Sequence, residues 1–167
     1  MANYKGHLVG GFVGATVYTC AMLLVPVERL AEYAQLLENW QPIAAVFVVA
    51  MLFALFPDVD TNSKAQDIFF WTVFVLDILL IWNGQLQAAA YLGLIAMLPI
   101  ISHHRGWTHR KWAAFVVPLP IVVVPYLYSD KMLAVGVVLY GAAVVGYLSH
   151  LLLDGQLVRW FRIKGSR

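Results

Sequence analysis

The stretch that decides the fold is "MLAVGVVLYGAAVVGYLSHLLLDG", residues 132–155. From Met132 to Leu153 it carries no Asp, Glu, Lys or Arg. A helix crossing a bilayer needs about 20 predominantly apolar residues, and this run supplies them. Its polar groups gather at the end, where His150 and Asp154 stand at i and i+4 and so share one helix face. The spacing lets both ligate one ion, or lets Asp154 hold the imidazole from behind by a hydrogen bond. A plain His–Asp pair at a helix end is the bland alternative. Near hydrocarbon that pair is costly, and ionisable residues kept there usually have a function.

The rest of the chain repeats the pattern. It has 167 residues, 62% of them hydrophobic and only 12% charged, where a soluble domain has about a quarter charged. Six apolar segments are visible, at Leu8–Val27, Pro42–Phe56, Ile68–Trp82, Leu86–Ile101, Trp112–Tyr128 and Met132–Leu153. The expected fold is therefore all-α: a polytopic membrane bundle of about six transmembrane or membrane-embedded helices, forming one domain over residues 1–167. The second, third and fourth segments are short, and polar residues at their ends would complete them. An alternative pairs the third and fourth as a shallow hairpin, and the sidedness below is the same. The first segment lacks a small-residue cleavage site and reads as a retained helix. Cys20 is the lone cysteine, which excludes an intrachain disulfide and a thiolate zinc site. Pro118, Pro120 and Pro125 should distort the fifth segment, with room for a cavity beside it. Asp77, inside the third, reads as a hydrogen-bonder in helix packing rather than an ion-path residue.

Six crossings place the N-terminus, the 57–67 and 102–111 loops and the C-terminus on one side. That side holds Lys5, Lys64, Arg105, Arg110, Lys111, Arg159, Arg162, Lys164 and Arg167, against Arg29 and Lys131 on the other. Short loops rich in Lys and Arg stay in the cytoplasm, so both termini are expected there, in an inner (cytoplasmic) membrane. His7, His103, His104, His109 and His150 all fall on this same side, as do Asp58, Asp60 and Asp154.

Five of these residues come from two loops. In "FPDVDTNSK" (56–64), Asp58 and Asp60 follow a helix-ending proline and can turn toward a common point, as hard oxygen ligands for a divalent ion. A polar turn closed by Asp and Asn is the alternative. In "HHRGWTHR" (103–110), Gly106 allows a sharp turn, so His104 and His109 can converge, with Thr108 placed to orient one of them. The alternative is a basic interfacial cluster anchored by Trp107. His7, in "YKGHLVGG" (4–11), is on its own an ordinary interfacial histidine. Carboxylate and imidazole without thiolate is the donor mix of hydrolytic metal sites.

In this order, after an N-terminal histidine, "FPDVDTNSK", "HRGWTH" and "GYLSHLLLD" resemble the YdjM-type family of membrane-bound, metal-dependent hydrolases, from His7 to Asp154. That family is in turn thought to be distantly similar to zinc-dependent phospholipase C. The resemblance implies His7, Asp58, Asp60, His104, His109, His150 and Asp154 as metal ligands. It also marks Arg105, for which a role in binding an anionic substrate is expected. Two positions depart from the family pattern: Thr61 stands where a histidine is common, and Arg110 where a serine is common. The first can remove a ligand; the second adds a charge for an anionic headgroup. The expected reaction is metal-assisted hydrolysis of a lipid ester or phosphoester at the cytoplasmic face. Asp58 or Asp60 would accept a proton, and Arg105 would pair with phosphate. The cofactor expected is one to three divalent ions, zinc first and manganese next. Membrane lipid is both solvent and substrate, and no nucleic-acid partner is expected. Residues 155–167, with Trp160 and Phe161 among basic residues, read as an interfacial tail. Two other classes fit the same residues: an ion or metal transporter, and a non-catalytic membrane protein with a structural metal.

The charge asymmetry yields a direct test. Reporter fusions or thiol labelling at positions 2 and 166 should both report cytoplasm. A periplasmic signal from either end would contradict the arrangement.

Overall fold

A computed structural model describes residues 3–24, 31–59, 63–101 and 107–155. Its helices are α1 (Tyr4–Leu24), α2 (Ala31–Leu36), α3 (Trp40–Leu55), α4 (Lys64–Trp82), α5 (Leu86–Ile101), α6 (Ala113–Val116), α7 (Pro120–Tyr128) and α8 (Leu133–Leu153). The protein is an all-α polytopic bundle, with no strand among the described residues. Four helical stretches are long and apolar enough to cross a membrane: Tyr4–Leu24, Trp40–Asp58, Lys64–Trp82 and Leu133–Leu153. At a rise of 1.5 Å per residue, the 21 residues of α1 run about 31 Å, close to the thickness of a hydrocarbon core.

The second and third spans reach this length through polar ends, as their short apolar runs require. A 3₁₀ turn at Phe56–Asp58 extends α3. Ser63 starts α4 five residues beyond Asp58, its hydroxyl accepting from the Gln66 amide at 3.3 Å and donating to the Asp58 carbonyl at 3.1 Å. That one side chain caps α4 and ties it to the turn carrying Asp58. The fifth segment is broken into α6 and α7, because Pro118 and Pro120 have no N–H to give. The Leu119 amide turns back to the Val116 carbonyl at 3.2 Å. The Phe115 carbonyl takes the Tyr140 hydroxyl of α8 instead, at 3.0 Å, as an irregular backbone among membrane helices demands. A cavity of about 590 Å³ lies beside Pro125, lined also by Gln85, Gln87, Val124 and Met132. It sits at the far end of α4 from Asp58. Asp77 faces α5 at Gly93. Its buried Oδ1 has no hydrogen-bond partner among the described residues, so it packs between helices without the bond expected of it.

The bundle is built around α1, α3 and α8, with small residues inside and large ones outside. The buried side of α1 is His7, Gly11, Ala15 and Thr19, one residue per turn. Val9, Phe12, Val13 and Val17 are exposed. On α3 the buried residues include Val46, Ala50 and Ala54, and on α8 Gly136, Ala142, Ala143 and Gly146. Lipid tails are as apolar as leucine, so helices gain little by hiding large side chains. They associate where small residues let the backbones meet. Gly146 is the extreme: a Cβ there would stand 2.0 Å from the Ala50 carbonyl oxygen. Gly84, at φ +73° in the α4–α5 turn, has open space around it and is glycine for its backbone angle.

Replacing Gly146 by Ala should force α3 and α8 apart and destabilise the protein by roughly 1–3 kcal/mol. Thermal unfolding in detergent micelles checks this. A melting temperature equal to wild type would mean that the close approach is not a constraint.

Candidate metal centre

Four separate pieces of chain converge at one end of the bundle. Asn3 starts α1, its Oδ1 accepting from the Gly6 amide at 3.0 Å, and His7 follows in the first turns. Asp58 comes from the 3₁₀ turn after α3. His109 sits in a tight turn where the Arg110 amide donates to the Trp107 carbonyl at 3.0 Å. His150 and Asp154 come from the end of α8, which Gly155 closes at φ +70°. A helix that ends within the cluster (α3 or α8) brings a carboxylate with its last turn, and α1 brings an imidazole with its first.

The five side chains face one another closely without hydrogen-bonding. His7 Nε2 lies 3.8 Å from Asp58 Oδ2 and 3.6 Å from Asp154 Oδ1. His150 Nε2 lies 3.6 Å from Asp58 Oδ1 and 3.6 Å from Asp154 Oδ2, and His109 Nε2 lies 3.9 Å from Asp58 Oδ1. The His7 and His150 rings stack at 3.8 Å between centroids, and those of His109 and His150 at 5.5 Å. Hydrogen bonds of this kind run about 2.7–3.2 Å, so every N···O pair is too long for one. Two ligands each about 2.1 Å from an ion, at a tetrahedral angle, stand about 3.4 Å apart.

The His150 ring is oriented from behind by the backbone of α3. Its Nδ1 lies 2.8 Å from the Ala54 carbonyl oxygen. A carbonyl only accepts, so Nδ1 carries a proton, and in the neutral imidazole Nε2 then carries the lone pair. Nε2 is buried, has no hydrogen-bond partner among the described residues, and faces Asp58 and Asp154 at 3.6 Å. Lone pair against carboxylate is repulsive unless a cation lies between them. A ring nitrogen bonded to a backbone carbonyl is also the usual way a metal-binding imidazole is oriented. His7 Nδ1 and Nε2 are likewise buried without partners. The donor atoms of Asp58, His109, His150 and Asp154 all lie within 4.8 Å of one another. The donor set fits a divalent ion. At 3.6 Å, Asp154 faces His150 across a gap rather than supporting it by a hydrogen bond.

The cluster is unevenly buried. The side chains of His7, His150 and Asp154 are at most 2% exposed, whereas Asp58 and His109 are 26% and 23% exposed. Asp58 and His109 are thus the donors most open to solvent. Arg110, next to His109 in sequence, is exposed. Trp107 and Trp112 stack at 5.9 Å on the same turn.

Of the residues expected from sequence, His7, Asp58, His109, His150 and Asp154 are brought together. His7, an ordinary interfacial histidine when read alone, is buried among the others. Asp60, Thr61, His103, His104, Arg105 and the 156–167 tail lie outside the described residues. Sequence reasoning missed Tyr147. Fully buried one turn before His150, it donates its hydroxyl to the Thr108 carbonyl and so holds the turn that presents His109. A phenol within an apolar span, needing a partner there, was the available signal, and Tyr140 on the same helix carries it too.

Fold and site together define a polytopic helical membrane protein with a buried His/Asp cluster at one end of its bundle. A family model described as YdjM inner membrane protein matches residues 3–159, and the chain belongs to that family. No curated protein and no solved structure matches the chain.

Tyr147→Phe removes the hydroxyl and leaves the ring. It should cost about 1 kcal/mol and speed amide hydrogen exchange at residues 109–113, leaving α1 and α3 protected. Unchanged exchange in that turn would show that other contacts hold His109.

Proposed function

We propose that this protein is a metal-dependent hydrolase embedded in the inner membrane, acting on an ester, and more specifically a phosphoester, of a lipid at the cytoplasmic face. The observation that carries this reading is the His150 imidazole: buried, fixed by Ala54 through Nδ1, with Nε2 facing Asp58 and Asp154 at 3.6 Å. Zinc is the ion that suits imidazole and carboxylate donors in a compact set. When bound, it polarises a phosphoryl or carbonyl oxygen and makes water acidic at neutral pH.

The chain's own groups divide the remaining work. His7, His109, His150 and Asp154 would hold the metal. Asp58, ligand and partly exposed, is open to a substrate oxygen and water, so it or Asp60 accepts the proton of the attacking water. Arg105 pairs two phosphate oxygens with its planar fork. Arg110 adds positive charge beside His109 for an anionic headgroup. The stacked Trp107 and Trp112 set the turn at headgroup level, so a lipid's tails remain among helices while its head meets the donors. Both termini lie on this cytoplasmic side, consistent with the Lys/Arg asymmetry. A transporter would hold its ion near the midplane between broken helices. Here the donors sit at helix ends.

Elemental analysis alongside turnover of a phospholipid and lipid-phosphate panel tests the proposal. The His109→Ala, Asp154→Ala double variant should lose the metal and the activity together. Arg105→Lys should keep the metal and lose most turnover, because lysine retains charge without the fork. Equal metal in wild type and the double variant would remove the site. Full metal with no turnover of any panel member would give the lead to the transporter or structural-metal reading.

A further inference from the structure

Each carboxylate in the cluster is divided between two groups of imidazoles. Asp58 turns Oδ2 to His7 at 3.8 Å and Oδ1 to His150 and His109 at 3.6 and 3.9 Å. Asp154 turns Oδ1 to His7 at 3.6 Å and Oδ2 to His150 at 3.6 Å. A single ion would draw one oxygen of each carboxylate toward a common point, or chelate both oxygens of one. Two carboxylates that each aim different oxygens at different imidazoles are instead placed as bridges.

The imidazoles fit that division. His7 and His150 stack nearly parallel, 3.8 Å between centroids and 17° between planes. Both Nε2 atoms are buried and without hydrogen-bond partners among the described residues. Parallel rings with both Nε2 atoms turned toward the same two carboxylates do not converge on one ion; they offer two binding directions side by side. The ring spacing matches the roughly 3.5–4 Å separation of paired ions in hydrolytic centres. The donor atoms that crowd within 4.8 Å of one another come from Asp58, His109, His150 and Asp154, a set without His7.

We propose that the cluster holds two divalent ions bridged by Asp58 and Asp154, one completed by His7 and the other by His150 and His109. This rests on the metal-site reading above and adds the ion count and the division of ligands. Two neighbouring ions suit a phosphoester more than a carboxylic ester, since a phosphoryl group offers two non-bridging oxygens to the pair.

Metal-free protein in detergent, loaded with Mn²⁺ and freed of excess by gel filtration, tests the count and the bridging without any turnover. Elemental analysis should give two ions per chain, and the electron paramagnetic resonance spectrum should be that of an exchange-coupled pair. His7→Ala and, separately, His150→Ala should each leave one ion with the spectrum of isolated Mn²⁺. One ion per wild-type chain with an isolated spectrum would overturn the two-ion centre and leave the metal site standing. Two ions without coupling would overturn the bridging. No bound ion would overturn both. The wild-type measurement decides even if the variants fail to fold.

Discussion

Gly146 has no side chain, and the Ala50 carbonyl of α3 occupies the space one would fill. That near-contact of two backbones brings α8 close enough for His150 Nδ1 to reach the Ala54 carbonyl at 2.8 Å, one turn further along α3. The bond commits Nδ1 as donor and leaves Nε2 turned into the cluster. Gly11 does the same for α1, where a Cβ would crowd Ala54, Met51 and the Ala50 carbonyl, and His7 follows from that approach. The centre is thus a consequence of small residues on three helices, and its donor geometry is set by helix packing more than by loops.

The physical balance at this end of the bundle explains why the cluster reads as incomplete on its own. Two carboxylates and three imidazoles are held together with most of their surface away from water, where unpaired charge is expensive. A divalent ion among these donors would offset the carboxylate charge, and their burial holds them in place for such a role. Asp58 and His109 are the donors most exposed to solvent.

Much of the architecture was legible from local pattern. The uncharged run ending at His150 gave α8, and Pro118 and Pro120 foretold the break between α6 and α7. Other features needed information that apolarity does not carry. The third span begins at Lys64 rather than Ile68, because Ser63 caps a polar first turn that is helical without being hydrophobic. Residues 31–36, read as loop, form the short α2. Side assignment grouped the donors by membrane face, and the family pattern singled out His7. That the His7 ring stacks on His150, or that each carboxylate divides its oxygens, depends on helix rotation and depth, which no spacing along one helix encodes. Tyr147 escaped notice for the same reason: its partner, the Thr108 carbonyl, lies on another element.

Anomalous X-ray diffraction at the metal edge, on crystals of protein whose metal content has been measured, addresses the centre most directly. Peaks are expected among His7, Asp58, His109, His150 and Asp154, about 2.0–2.2 Å from their nitrogen and oxygen atoms. Metal-bearing protein with its anomalous peaks elsewhere, and these five side chains still facing one another without an ion, would contradict the assignment.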